Sequence, residues 1–192
     1  MFPVDVFRAT LEKIVGILNQ FSIRFHLTGG LTSMAYGEPR MTQDVDIVVD
    51  NRALVSNLDS FFELLGSKRF LFDPETIRRA VADKGMFQVL DMDEALKIDF
   101  YPREMITGEL DRSELLEVFP AVHLPIVSRI DAAGSKLIWI GKGSHKSRRD
   151  LRQIFRLANA QQREQIQQLA QRLQLDSLLE EVLSEPDEIE NP

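Results

Sequence analysis

The sequence predicts an α+β protein, with a mixed part of short strands and helices followed by a helical part from about residue 129. Three observations carry that reading. Short apolar or β-branched runs at residues 24–28, 45–49, 86–90, 95–101 and 123–127 are bounded by glycines, prolines and acidic turns, as strands are. Between them, apolar residues recur at helical spacing. From Ser128 onward, helix-start signals and helical spacing dominate.

Taken in order, Phe7, Leu11, Ile14, Val15 and Leu18 form one stripe over residues 5–20, and Pro3 is tolerated near a helix start that needs no N–H partner. A strand over 24–28 breaks at Gly29-Gly30, and residues 30–36 make two helical turns closed by Gly37. After the loop Gly37-Glu38-Pro39-Arg40, residues 45–49 read as a central strand around Asp44 and Asp46. A helix over 52–65 turns Leu54, Leu58, Phe61, Phe62 and Leu65 inward, with Gly66 as its stop. Asp73-Pro74 is a cap followed by a first-turn proline, opening a helix that carries Ile77, Ala80 and Val81. The strands 86–90 and 95–101 are joined by Asp91-Met92-Asp93-Glu94. In the second of them Leu96, Ile98 and Phe100 share one face while Lys97, Asp99 and Tyr101 share the other.

Residues 107–122 give no clear element, and a helix over 113–119 is the reading they favour. A short strand is expected at 123–127. Ser128-Arg129-Ile130-Asp131 has the form of a capping box, opening a helix that runs to Trp139 or Ile140. A loop over 141–145 leads to a helix opened by Ser147, with Leu151, Ile154, Phe155 and Leu157 on its core side. Residues 161–183 are helical and glutamine-rich, and the acidic stretch 184–192 is expected to be a disordered tail. The expected organisation is a core over 1–128, a helical part with a basic surface over 129–183, and that tail.

Composition limits the function. The 192 residues are 44% hydrophobic and 28% charged, ordinary for a globular protein. The absence of cysteine excludes disulfides, thiolate metal sites and cysteine nucleophiles. The N-terminus lacks the basic-then-apolar form of a signal peptide and no run is long enough to span a bilayer, so the expectation is a cytoplasmic protein without membrane association. The net charge of -7 argues against indiscriminate nucleic-acid binding. Locally the balance reverses: Lys136, Lys142, Lys146, Arg148, Arg149, Arg152 and Arg156 face a single acid, Asp150, within residues 136–156. His26, His123 and His145 show no metal-ligand spacing, so zinc is not expected. Trp139 and the phenylalanines occupy core-like positions.

The stretch 27–49, LTGGLTSMAYGEPRMTQDVDIVV, carries the strongest chemical signal. Asp44 and Asp46 lie one residue apart on a strand and therefore point to the same face. Like charges that close call for an intervening cation, and an oxygen-only ligand set favours a hard ion such as Mg²⁺ or Mn²⁺. Gly29 and Gly30 let backbone N–H groups approach a phosphate at a helix start, and Ser33 offers a hydroxyl on that side.

These residues resemble the signature of the polymerase-beta-like nucleotidyltransferases, a glycine turn followed by a two-acid strand. The run GG…R-x-T-x-D-V-D, with Arg40 and Thr42, is closest to the small bacterial branch of abortive-infection and toxin–antitoxin nucleotidyltransferases. The resemblance implies a small mixed-sheet core with flanking helices. It also implies a third carboxylate from a later strand, which Asp99 matches best, with Asp91 or Asp93 as the fallback. Asp44, Asp46 and Asp99 would then be both catalytic and metal-binding. In toxin-like members a helix lysine precedes a basic stretch ending in an aspartate, and Lys136 and Asp150 match those positions. With Gly29, Gly30 and Ser33 they would be the nucleotide-binding set. Two departures stand out: Gln153 replaces a second aspartate, and Thr32 replaces a small alanine.

The implied function is Mg²⁺-dependent transfer of a nucleoside monophosphate from a nucleoside triphosphate to an acceptor hydroxyl. RNA bound by the Lys136 to Arg156 surface is one acceptor, and a small antibiotic-like molecule is a second. A non-catalytic nucleotide-binding half of a toxin–antitoxin pair is the alternative from another class, and an antitoxin protein is an implied partner.

Overall fold

A computed structural model describes residues 4–37 and 44–186 of the chain. Arg40, Thr42 and most of the expected acidic tail therefore lie outside the described residues. The chain divides into two compact units. The described residues of Met1–Leu31 and Arg40–Val127 form one, and those of Thr32–Pro39 and Ser128–Pro192 form the other.

The first unit is built on a seven-stranded mixed sheet in the order β3-β4-β5-β2-β1-β7-β6. Its strands are β1 (Phe25–Thr28), β2 (Asp44–Val49), β3 (Phe70–Leu71), β4 (Phe87–Asp91), β5 (Leu96–Tyr101), β6 (Glu114–Phe119) and β7 (Val122–Ile126). β2 sits in the middle, antiparallel to β1 and parallel to β5. Its Val45, Ile47 and Val49 are buried on one face, opposite the face that carries Asp44 and Asp46. The helices of this unit are α1 (Val4–Gln20), α3 (Asn51–Ser56), α4 (Leu58–Ser67) and α5 (Pro74–Ala82).

The apolar face of β5 explains why its polar face is held in place. Leu96, Ile98 and Phe100 are completely buried. Phe100 stacks on Phe87 of β4 at 4.9 Å and meets the edge of Phe61 of α4 at 6.1 Å. Burying one such ring contributes roughly 1.5–3 kcal/mol, so the pleat cannot flip cheaply. Lys97, Asp99 and Tyr101 are thereby fixed on the opposite face.

Several local expectations hold. Asp73 caps α5, its side chain accepting from the Glu75 N–H, and Pro74 is the first helical residue. Ser128 caps α6 (Arg129–Gly141): its Oγ accepts from the Asp131 N–H and donates to Asp131 Oδ2 at 2.7 Å.

Others are corrected. The helix expected over 52–65 is two helices separated at Asn57. Gly66 does not stop it: α4 continues through Ser67, and Arg69 takes the left-handed conformation (φ 63°) that turns the chain into β3. Residues 113–119 are not helical. Glu and Leu favour helix intrinsically, but β6 pairs antiparallel with β7 through a turn at Ala121 (φ 64°), and that pairing overrides propensity.

The second unit contains the end of α2 (Gly30–Tyr36) with α6, α7 (Lys146–Arg156), α8 (Ala160–Arg172) and α9 (Asp176–Ser184). α6 includes Gly141, and α7 starts at Lys146, with Ser147 buried in its first turn rather than capping it. The glutamine-rich segment is two helices, broken where Gln174 adopts φ 58°. On α7 Leu151 and Ile154 are buried, whereas Leu157, just past its end, is exposed. Trp139 is also exposed, with the Lys142 ammonium over its ring at 5.1 Å.

Candidate active site

Three carboxylates meet on one face of the sheet in the first unit. Strand register sets Asp46 beside Asp99 and Asp44 beside Lys97 on the parallel pair β2 and β5. Thr28 of β1 flanks Asp46 on the other side, and Gln88 of β4 flanks Asp99. A single row of the sheet thus runs Thr28, Asp46, Asp99, Gln88. Adjacent strands lie about 4.8 Å apart, so side chains in such a row touch or repel directly.

The charges are balanced by neighbours that the sequence alone did not single out as site residues. Lys97 Nζ lies 3.3 Å from Asp99 Oδ2 and 3.6 Å from Asp44 Oδ2. Burial works against the charge of Lys97, but Asp99 and Asp44 more than offset it and raise its pKa. The Tyr101 hydroxyl donates to Asp46 Oδ1 at 3.1 Å. Burial, and then the Asp46 charge, push the Tyr101 pKa well up, so it stays a protonated donor. The available signal was the Lys-x-Asp-x-Tyr alternation on the polar face of β5, which puts both side chains beside Asp99.

Asp46 has a raised pKa, first because it is buried and then because Asp44 and Asp99 repel it; the Tyr101 hydroxyl and the Gly30 N–H only partly compensate. Asp99 is also raised, chiefly by burial, with Asp44 adding to the effect and Lys97 and Gln88 opposing it.

The glycine turn has a specific geometric reason. Gly29 adopts φ +63°, and a Cβ there would fall inside the Asp46 carboxylate. Only glycine lets β2 bring that carboxylate against the turn, where the Gly30 N–H bonds it. In the structure this turn therefore receives the protein's own carboxylate.

The fallback acids are engaged elsewhere. Asp91 is completely buried and accepts from Thr10 Oγ1 and Lys13 Nζ, each at 2.9 Å, tying β4 to α1. Asp93 pairs with Lys13 at 2.9 Å and Arg69 at 2.6 Å.

The remaining expected residues lie in the second unit. Ser33 is buried on α2, and its Oγ finds no hydrogen-bond partner among the described residues. Lys136 Nζ pairs with Asp150 Oδ2 at 2.7 Å, with both side chains more than nine-tenths buried. Asp150 thus ties α7 to α6 rather than completing a cap with Ser147. Part of the basic run is neutralised within its own unit. Arg148 pairs with Glu181 at 2.9 Å and also with Glu185, Arg152 pairs with Glu185 at 2.5 Å, and Arg156 bonds the side chain of Gln153.

The fit to a divalent cation can be tested on these atoms. Asp99 Oδ1 is buried without a hydrogen-bond partner among the described residues, and two carboxylates carry charges that burial and mutual repulsion disfavour. An oxygen-rich, charge-strained cluster of this kind suits a hard cation. Among the described residues no three His, Cys, Asp or Glu side chains already stand in ligand geometry. The Lys97 ammonium stands within reach of both Asp44 and Asp99.

The family model for the nucleotidyl transferase AbiEii toxin of type IV toxin–antitoxin systems matches residues 16–190. No curated protein matches the sequence. Among solved structures, the antibiotic-resistance factor ANT(2'')-Ia is similar at 13% identity and a TM-score of 0.51, over 96% of this chain and 91% of that one. An antigenic nucleotidyltransferase-like protein from Paracoccidioides brasiliensis is similar at 17% identity and a TM-score of 0.50, over 93% and 94% of the two chains. At those identities the likeness shows the fold. Among the described residues no helix is long and apolar enough to cross a membrane. By a match that spans nearly its whole length, the chain belongs to the AbiEii nucleotidyl transferase toxin family.

Proposed function

We propose that this nucleotidyltransferase moves a nucleoside monophosphate from a nucleoside triphosphate to an acceptor hydroxyl, with a divalent cation, Mg²⁺ or Mn²⁺, held by Asp44, Asp46 and Asp99. One observation carries the reading: three carboxylates share one face of adjacent strands, one with a buried oxygen that has no hydrogen-bond partner among the described residues, in a protein of this family. A cation held there supplies Lewis acidity, lowering the pKa of the acceptor hydroxyl and neutralising the departing pyrophosphate.

The chain's own groups do the rest. The Tyr101 hydroxyl and the Gly30 N–H hold the Asp46 carboxylate in one orientation. Asp99 takes the acceptor proton as that oxygen bonds the α-phosphorus and the bond from that phosphorus to the bridging β-phosphate oxygen breaks. Gly29 and Gly30, with Ser33, Lys136 and Asp150, are the proposed nucleotide-binding residues. Lys136 and Asp150 act as the pair they form.

The acceptor has two readings. RNA is favoured by the number of basic residues between Lys136 and Arg156. A small hydroxylated molecule is favoured by the capture of Arg148 and Arg152 by Glu181 and Glu185, which leaves less positive charge for a polyanion. Salt separates them: binding to RNA weakens steeply with ionic strength, and binding to a small neutral acceptor does not. The family's type IV toxin–antitoxin assignment suggests an antitoxin protein as partner. The function is tested by incubating the protein with each labelled triphosphate, Mg²⁺ and candidate acceptors. Transfer that survives Asp46→Asn would contradict the proposed site.

A further inference from the structure

We infer that Lys97 is a positioning residue that serves as the resident counter-ion of the carboxylate cluster, its ammonium standing between Asp44 and Asp99 until a divalent cation displaces it. The inference rests on the proposed metal role of Asp44, Asp46 and Asp99 and adds a residue that the motif does not contain.

Lys97 stands two residues before Asp99 on β5 and beside Asp44 in register, so its stem rises from the same face as all three acids. Its partners are unequal. The Asp99 side chain is 9% exposed, whereas those of Asp44 and Lys97 are 33% and 39% exposed. The ammonium therefore reaches in from the solvent side and can withdraw into water without disturbing the core, as a long flexible side chain does. Asp46 receives no such help: its bonds come from Tyr101 and Gly30. The folded chain thus sets a removable positive charge, that of Lys97, against the repulsion among its acids. A cation arriving at Asp44 and Asp99 competes with that charge for the same oxygens. Lys97 should accordingly stabilise the metal-free protein and weaken its affinity for metal, two effects that a merely packed lysine would not couple.

The test uses the full chain and Mn²⁺ alone, with binding followed by titration calorimetry or by the electron spin resonance of free Mn²⁺. Lys97→Met should bind Mn²⁺ about five- to tenfold more tightly, the loss of one or two partly exposed ion pairs. Without metal it should melt about 2–4 °C lower, and saturating Mn²⁺ should close that gap. Lys97→Arg should stay near wild type in both respects, and Lys97→Gln repeats the measurement should the methionine variant fold poorly. Amine-reactive labelling of the wild type, read by peptide mass spectrometry, gives a second line: Lys97 should label several-fold faster when Mn²⁺ is present. Unchanged or weaker Mn²⁺ affinity in both neutral variants, or labelling that ignores Mn²⁺, would overturn the inference. Asp99→Asn separates this failure from that of the underlying reading. Were Asp99→Asn to lose Mn²⁺ binding while Lys97→Met matched wild type, only the role of Lys97 would fall; were Asp99→Asn to bind as wild type does, the metal site itself would fall.

Discussion

Replacing Asp46 by Asn should make the metal-free protein more stable and the enzyme nearly inactive. Asn keeps an oxygen that accepts from the Tyr101 hydroxyl, so the local packing survives, but it removes the charge that Asp44 and Asp99 repel. Two like charges about 5 Å apart repel by roughly 3 kcal/mol at an effective dielectric near 20. The Tyr101 hydroxyl and the Gly30 N–H already offset part of this. A net gain of about 1 kcal/mol is therefore expected, or roughly 2–4 °C in melting temperature for a chain of this size. Activity should move the other way. Several kcal/mol of metal-supplied transition-state stabilisation depend on the ligand set, so transfer should fall by about 10²–10³-fold. The assay pairs thermal melts in chelator with label transfer from nucleoside triphosphates in Mg²⁺. A variant that melts lower than wild type in chelator, or that transfers at the wild-type rate, would refute the reasoning.

Three further outcomes follow from the geometry. Gly29→Ala should lose about 2–5 kcal/mol, from a left-handed backbone and from a methyl group placed in the Asp46 carboxylate, and circular-dichroism melts check this. Asp46 and Asp99 bind protons more tightly folded than unfolded, so their contribution to metal-free stability rises as pH falls from neutral towards about 4, the unfolded carboxylate value; subtracting the pH–stability curve of Asp46→Asn should isolate the Asp46 part, and a flat difference would contradict it. Lys136→Met should destabilise by about 3–5 kcal/mol because it removes the ammonium paired with the buried Asp150 carboxylate, whereas Lys136→Met with Asp150→Leu should recover most of that loss in denaturant titrations.

What the sequence made legible follows from periodicity. The two-residue repeat placed Asp44 with Asp46, and Lys97 with Asp99 and Tyr101, on shared faces before any coordinates. What it could not supply was which strands are neighbours. Pairing of β2 with β5 is a long-range outcome, and only that pairing sets Asp99 beside Asp46 and brings Lys97 between Asp44 and Asp99. The same limit explains the misreading of 113–119, where helix-favouring Glu and Leu form an edge strand because β7 is available to pair with them. It also explains why the basic run over 136–156 looked like an open surface. The acids that neutralise Arg148 and Arg152 lie some thirty residues further on, Glu181 on α9 and Glu185 just past its end. Gly29 keeps its proposed place at the phosphate, and the structure adds a contact that depends on strand pairing: the Asp46 side chain lies where a Cβ on Gly29 would be.

The most direct test of the central claim is a transfer assay with α-labelled ATP, GTP, CTP and UTP, Mg²⁺, total RNA and a small-molecule pool, run on wild type and Asp99→Asn in parallel. The account predicts that at least one triphosphate donates label to an acceptor with release of pyrophosphate, that chelation stops it, and that Asp99→Asn is folded but inactive. Label transfer that continues undiminished in Asp99→Asn, or that ignores removal of the divalent cation, would contradict it.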